Sequence, residues 1–136
     1  MIKISRTKIT HILVGGSQVL EGKTKEVVEE LKKHTTLPVV LFPGNYTQLT
    51  NLADGLLYLS LLSGRNPEYL IGQHIKAASF IKQSNLEVIS TGYILIDGGV
   101  TTAVQKVSDT IPLSQDDTES IVSTALAGQY LGNKLV

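Results

Sequence analysis

Residues 54–62 read DGLLYLSLL, and this almost unbroken apolar run decides the fold class of the chain. A strand that is apolar at successive positions is typical of a parallel sheet, because both faces of such a sheet are covered. A second apolar run, VVLF at residues 39–42, precedes it and stops at a Pro-Gly-Asn turn. We therefore predict two neighbouring buried strands of one parallel sheet.

Further strands are predicted on both sides of this pair. Residues 10–14 (THILV) form a short apolar run that ends in a Gly-Gly-Ser turn. Residues 87–90 and 93–96 predict another strand, bent near Gly92. The apolar ending at residues 134–136 is typical of the start of one more strand.

Helices are predicted between and after these strands. Residues 24–34 have helical spacing, with one apolar face formed by Val27, Val28 and Leu31. A second helix begins at Asn66-Pro67, because asparagine is a favoured cap and proline suits the first helical position. Its predicted buried stripe consists of Leu70, Ile71, Ile75, Ala78 and Ile81. A long irregular loop at residues 98–112 separates the strands from a last helix, which opens near Asp116 and Glu119 and ends near Gly132.

Strands that alternate with helices indicate an α/β domain whose helices lie outside a parallel sheet. Two architectures fit this pattern equally well. One is a (β/α)8 barrel, in which the active site lies at the carboxyl ends of the strands. The other is a doubly wound open sheet.

Composition excludes several classes of function. Twelve basic and twelve acidic residues cancel, the pI is about 6.8 and the mean hydropathy is +0.13. Such a chain has no overall field that favours nucleic acid. The absence of cysteine excludes a disulfide scaffold and a thiolate metal site, and three scattered histidines form no metal-ligand spacing. The first eight residues lack the apolar core of a signal peptide, so we expect a cytoplasmic protein.

Five short segments carry a family resemblance. They are VGGS at 14–17, LFPGN at 41–45, SLLSGRNP at 60–67, TGYILI at 91–96 and AGQYLG at 127–132. In this order and at these spacings they resemble the geranylgeranylglyceryl phosphate synthase family, including its bacterial heptaprenylglyceryl relatives. The resemblance runs from about residue 10 to residue 136.

The resemblance implies a single partial domain over residues 1–136, of the (β/α)8 TIM-barrel type, that covers about strands 2 to 6. It also implies a prenyltransferase that transfers a polyprenyl group from its diphosphate to glycerol-1-phosphate, forming an ether-lipid precursor with the help of Mg²⁺. A homo-oligomer and a peripheral membrane contact through the lipid product are further expectations. A complete barrel needs roughly 200 residues or more, so we expect these 136 residues alone to be inactive.

The family's site residues are carried over by motif. Ser17 matches a hydroxyl that contacts Mg²⁺, whereas the family's Asp-bearing motif of the first strand has no counterpart before residue 10. Asn66 has a competing role as a helix cap and Tyr93 as a buried core residue, and no residue is singled out as catalytic. The predicted substrate-binding residues are Gly15, Gly16, Phe42, Pro43, Gly44, Asn45, Ser60, Asn66 and Tyr93.

Two other interpretations are kept open. The chain is either an inactive half-barrel that self-associates through its unpaired strand edges, or part of a different phosphate-binding TIM-barrel enzyme. The first follows from the cost of leaving strand edges and an apolar inner face exposed. The second shares the same glycine-rich turns after strands.

Overall fold

A computed structural model describes residues 8–136 of the chain. Strands and helices alternate along most of this length, and none of the helices described is both long and apolar enough to cross a membrane. A 3₁₀ turn at Tyr46–Gln48 and a π-helical turn at Glu68–Gly72 complete the elements. In chain order the strands and α-helices are β1 (Ile12–Gly16), α1 (Lys23–His34), β2 (Val39–Pro43), β3 (Gly55–Leu61), α2 (Gln73–Gln83), β4 (Glu87–Tyr93), α3 (Ala103–Ser108) and α4 (Thr118–Tyr130).

The four strands form one parallel sheet in the order β1-β2-β3-β4. Sequential order is typical of a barrel, whereas a doubly wound sheet reverses direction at a switch point. The barrel-type prediction is therefore confirmed over the doubly wound alternative. An isolated parallel bridge between Thr91 and Leu135 lies beside β4, at the place where the start of another strand is predicted.

β1 begins and ends two residues later than predicted. The backbone N–H of Ile12 donates to the Pro38 carbonyl at 2.9 Å. Gly15 and Gly16, which were predicted to form a loop, are paired with Phe42 and Pro43 of β2. Gly15 lets the two backbones approach closely, because a Cβ there would lie 1.8 Å from the Phe42 carbonyl oxygen.

One face of the sheet packs against α1, and the main core lies there. Val28 of α1 and Leu41 of β2 are fully buried, and Leu56 of β3 is 1% exposed. Thr24, Val28 and Leu31 form the inward face of α1, because they follow i, i+4, i+7 spacing. The prediction that Val27 belongs to this face is wrong, since its side chain is 46% exposed.

The predicted buried stripe of α2 is wrong at three positions. Ile71 is 55% exposed, Ile75 is 69% exposed, and Ala78 is also exposed. His74 and Ala77 are buried instead, between the partly buried Leu70 and Ile81. The His74 ring occupies the face of α2 that meets β3, and this orientation turns the two isoleucines outward.

Three smaller predictions also change in the second half of the chain. β4 runs unbroken through Gly92 and ends at Tyr93, three residues before the predicted end, and a Cβ at Gly92 would lie 2.5 Å from the Leu62 Cδ1. The predicted irregular loop contains α3, whose N-terminus is capped by the Thr102 hydroxyl, which accepts from the Gln105 N–H. α4 is capped by Asp117, one residue later than Asp116.

The carboxylate of Asp54, at the surface, is hydrogen-bonded to the first residue of β2. Asp54 accepts hydrogen bonds from the Lys32 ammonium at 2.5 and 2.6 Å and from the Val39 N–H at 2.7 Å. These bonds, first of all the one from Lys32, lower the pKa of the Asp54 carboxyl below its ordinary value.

We expect Asp54→Asn to be less stable than the wild type at pH 7 by about 1 kcal/mol at most, because the pair is partly exposed. Because the pKa of the Asp54 carboxyl is lower in the folded state than in the unfolded state, its ionised form stabilises the fold at pH values above the unfolded pKa of about 4. This stabilisation is lost as the pH falls through the pKa of the folded state. The difference between the two proteins should therefore shrink in acid. Urea unfolding from pH 7 to pH 2.5 measures it, and a difference that does not depend on pH would contradict the assignment.

Candidate functional site

A cleft opens at the carboxyl ends of the strands. The register places Gly16 beside Pro43 and Leu61 beside Tyr93, so all four strands end on the same rim. The cleft encloses about 780 Å³, a figure that includes solvent at its open side. It is largely apolar, and its polar positions come mainly from the turns after β1 and β2 and from α2.

The turns after β1 and β2 touch each other. A Cβ built on Gly44 would lie 2.4 Å from the Gly16 carbonyl oxygen and 2.8 Å from the Ser17 Cα. Only glycine permits this approach, because any side chain would need backbone atoms to move. Ser17 and Asn45 are thereby brought to the same end of the cleft.

Asn45 shapes its own turn. Its Oδ1 accepts from the Thr47 N–H at 2.9 Å and from the Thr47 hydroxyl at 2.6 Å. The side-chain oxygen therefore caps the short 3₁₀ turn that follows. This bond fixes the orientation of the Asn45 amide at the cleft.

An apolar wall faces these turns. The rings of Phe42 and Tyr93 meet edge to face, with centroids 6.0 Å apart. Leu57, Leu59 and Leu61 of β3 extend the wall. Such a surface is suited to a hydrocarbon chain, because contact with it removes apolar area from water.

The short helix α3 closes one side of the cleft. The Tyr69 hydroxyl donates to the Val107 carbonyl at 3.0 Å, and the Asn66 Nδ2 donates to the Ser108 carbonyl at 3.1 Å. Val104 and Val107 line the cleft from this helix. The segment before α2 therefore anchors a wall that lies almost forty residues further along the chain.

A buried histidine is among the residues that line the cleft. His74 is 6% exposed, its Nε2 is 3.0 Å from the Ser60 hydroxyl, and its ring stands edge to face with Tyr58 at 4.5 Å. Burial lowers the pKa of His74, so the ring is neutral at pH 7. His74 is therefore not a surface residue, and its interpretation as a structural residue stays a prediction.

Seven of the ten predicted site residues line the cleft, and three do not. Gly15 contacts the Phe42 backbone within the sheet. Ser60 turns its hydroxyl toward α2, and Asn66 caps the segment before α2 through its Oδ1, which accepts from the Glu68 N–H at 3.1 Å. The seven that come together are Gly16, Ser17, Phe42, Pro43, Gly44, Asn45 and Tyr93.

Several cleft residues were not predicted. Gln48, which lies next to the cleft and does not line it, is 2% exposed and bonds both strand-end turns, and no local signal marks this glutamine of the 3₁₀ turn as buried. Tyr69, Gln73 and Ala77 line the cleft. Threonine is a favoured helix cap, so Thr102 could have indicated the start of α3 in the sequence. The helix itself has only six residues, too few to show helical periodicity.

The cleft residues do not form a Mg²⁺ site by themselves. None of the residues that line the cleft is acidic, and the described part of the chain contains no cluster of three His, Cys, Asp or Glu. Mg²⁺ is usually bound through one or two carboxylates in near-octahedral geometry. Ser17 offers a single hydroxyl, so its metal contact stays a prediction.

The sequence of this chain is similar to those of several known proteins. A geranylgeranylglyceryl phosphate synthase of Flavobacterium johnsoniae is 50% identical over 136 residues, which are 100% of this chain and 56% of that protein. The Pyrococcus furiosus protein of the same name is 40% identical over 130 residues, covering 95% of this chain and 51% of the relative. The chain thus spans about half the length of the curated relatives it matches.

Solved structures agree. Wild-type GGGPS from Thermoplasma volcanium superposes with a TM-score of 0.86 at 32% identity, over 94% of this chain and 51% of that one. The synthase of Thermoplasma acidophilum, described in complex with the substrate sn-glycerol-1-phosphate, also gives 0.86, at 30% identity over 94% of this chain and 52% of that one. The fold is therefore about half of the TIM barrel of these enzymes. The family model described as the PcrB family matches residues 1–136, and the chain belongs to the PcrB family.

Proposed function

We propose that the protein carrying this chain transfers a polyprenyl group from its diphosphate to a hydroxyl of sn-glycerol-1-phosphate. One observation carries the proposal: an apolar wall and two small-residue turns share one cleft at the carboxyl ends of the strands. A prenyl diphosphate has the matching shape, with an apolar tail and an anionic head. The names of the similar synthases support the same reaction.

The reaction needs one binding surface for the apolar prenyl chain and another for the phosphate groups. The allylic carbon–oxygen bond breaks, and its electron pair leaves with the diphosphate. The glycerol hydroxyl oxygen forms the new bond to that carbon and loses its proton. The Phe42 and Tyr93 rings are proposed to contact the hydrocarbon, while the backbone at Gly16, Ser17 and Gly44 lets phosphate oxygens approach closely.

The Mg²⁺ requirement and the Ser17 contact are proposed on the resemblance alone. The described residues contribute a hydroxyl and backbone groups but no carboxylate at the cleft. Assembly into a homo-oligomer and contact with a membrane through the lipid product rest on the same resemblance. Location in the cytoplasm is proposed because the sequence contains no cysteine.

The reaction is tested directly with the natural protein that carries this chain. The purified protein is incubated with Mg²⁺, a geranylgeranyl or longer polyprenyl diphosphate, and sn-glycerol-1-phosphate, and the ether product is measured by mass spectrometry. A parallel thermal-shift screen of other phosphorylated small molecules tests for a different phosphate-binding enzyme. Stabilisation by another phosphate ester, without any ether product, would overturn the proposed reaction.

Ser17→Ala in that protein should lower turnover about tenfold or more and leave thermal stability almost unchanged. Ser17 is a half-buried turn residue, so its hydroxyl contributes little to packing. Ser84→Ala is a matched control outside the cleft, although loss of its bond to the Ile81 carbonyl costs some stability. Turnover of Ser17→Ala equal to the wild type at saturating Mg²⁺ would refute the metal contact.

A further inference from the structure

Asn66 joins two segments that meet at one side of the cleft. Its Nδ2 donates to the Ser108 carbonyl at 3.1 Å, and its Oδ1 accepts from the Glu68 N–H at 3.1 Å. Its backbone carbonyl accepts from the Tyr69 N–H at 3.1 Å, and the Tyr69 hydroxyl donates to the Val107 carbonyl at 3.0 Å. The two side-chain donors of this segment therefore bond to the last two residues of α3.

α3 lies in a loop that backbone hydrogen bonds close at its base. The Leu113 N–H donates to the Leu95 carbonyl at 2.9 Å, and the Asp97 N–H donates to the Leu113 carbonyl at 2.8 Å. Near the start of the loop, a Cβ built on Gly98 or Gly99 would meet nothing within 4 Å, so close packing does not fix the chain there. A helix of six residues is too short to be stable by itself, and the position of α3 therefore depends on its contacts with the rest of the fold.

We propose that Asn66 is a positioning residue for the prenyl diphosphate. By holding the C-terminal end of α3, it keeps Val104 and Val107 in place as one wall of the surface that contacts the hydrocarbon chain. This inference rests on the proposed function, since it assigns the hydrocarbon chain to this part of the cleft. Asn66 does not itself line the cleft, so it acts through α3 and does not touch the substrate.

Asn66→Asp separates the two roles of this side chain. A carboxylate still accepts from the Glu68 N–H, and aspartate caps a helix as well as asparagine does, but a carboxylate cannot donate to the Ser108 carbonyl. Ser108 is 0% exposed, so its carbonyl has little water to replace the lost bond and also faces a negative charge. Asn51→Ala is the matched control, because it removes a 2.9 Å bond from the Asn85 N–H, between two distant segments outside the cleft.

Amide hydrogen exchange of the natural protein that carries this chain tests whether Asn66 holds α3. In Asn66→Asp the amides of Lys106 and Thr110, which bond to carbonyls of Thr102 and of α3, should exchange about fivefold faster or more relative to the amides of α1. Asn51→Ala should leave this ratio unchanged. Exchange in Asn66→Asp that is no faster than in the wild type, or that accelerates equally in α1 and α3, would show that Asn66 does not hold α3.

Steady-state kinetics of the same variants test the positioning role. Asn66→Asp should raise the KM for the prenyl diphosphate about fivefold or more and change the KM for sn-glycerol-1-phosphate less than about twofold, because only molecules with α3 in place bind the chain tightly. Asn51→Ala should leave both KM values unchanged. A KM for the prenyl diphosphate within about twofold of the wild type, or an equal rise in both KM values, would overturn the positioning role. A wild-type protein that forms no ether product would overturn the proposed function and the positioning role with it, whereas the exchange result would still decide whether Asn66 holds α3.

Discussion

Gly15→Ala is expected to be the most destabilising single substitution among those considered for this chain. A Cβ at this position would lie 1.8 Å from the Phe42 carbonyl oxygen and 2.4 Å from its carbonyl carbon. Both atoms belong to the backbone of β2, so relief requires β1 to move away from its partner strand. We expect a loss of about 3 kcal/mol or more in the free energy of unfolding.

Urea unfolding followed by circular dichroism measures this loss. Gly98→Ala is the control, because a Cβ there meets nothing within 4 Å, and it should change stability by about 0.5 kcal/mol or less. Equal midpoints for Gly15→Ala and Gly98→Ala would show that the two strands are not packed as closely as described.

The second large effect concerns activity. A polypeptide made of these 136 residues alone should form no detectable ether product under conditions in which the Flavobacterium johnsoniae synthase is active. The cleft residues provide no acidic ligand for a metal and no cationic side chain to neutralise a diphosphate. Loss of such charge stabilisation costs several orders of magnitude in rate.

The same assay on both proteins, with product measured by mass spectrometry, tests this expectation. Size-exclusion chromatography with light scattering should be run on the same sample. Among the described residues β1 forms an edge of the sheet and its Leu13 is 58% exposed, and both features favour self-association of the 136-residue polypeptide. Robust product formation by a verified 136-residue sample would show that its own residues suffice for catalysis.

Local sequence patterns predicted the strands well. The apolar runs that became β2 and β3 are right to within about one residue at each end, because a strand covered on both faces must be apolar at nearly every position. Asn66 was predicted as a cap because capping is also local: its side chain accepts a hydrogen bond from the backbone N–H of Glu68, only two residues further along the chain. The four motif segments that contribute to the cleft were also visible in the sequence.

Contacts between distant residues explain what was missed. Gln48 meets Gly16 across thirty-two positions, and Tyr69 meets Val107 across thirty-eight. Helical spacing identified apolar residues on α2 but not which of them face the sheet. The face of α2 that meets the sheet is the one that carries His74, because the His74 ring contacts Ser60 and Tyr58 on β3.

The sequence by itself determined a parallel α/β chain with small-residue turns after its strands, because burial on both faces and tight turns restrict residue type locally. Only the tertiary structure decided that α3 forms one wall of the cleft and that a buried glutamine bonds to two of the turns. The physical reason is that a hydrogen bond between distant positions leaves no periodic trace along the chain, and its partners are known only once the backbone has folded.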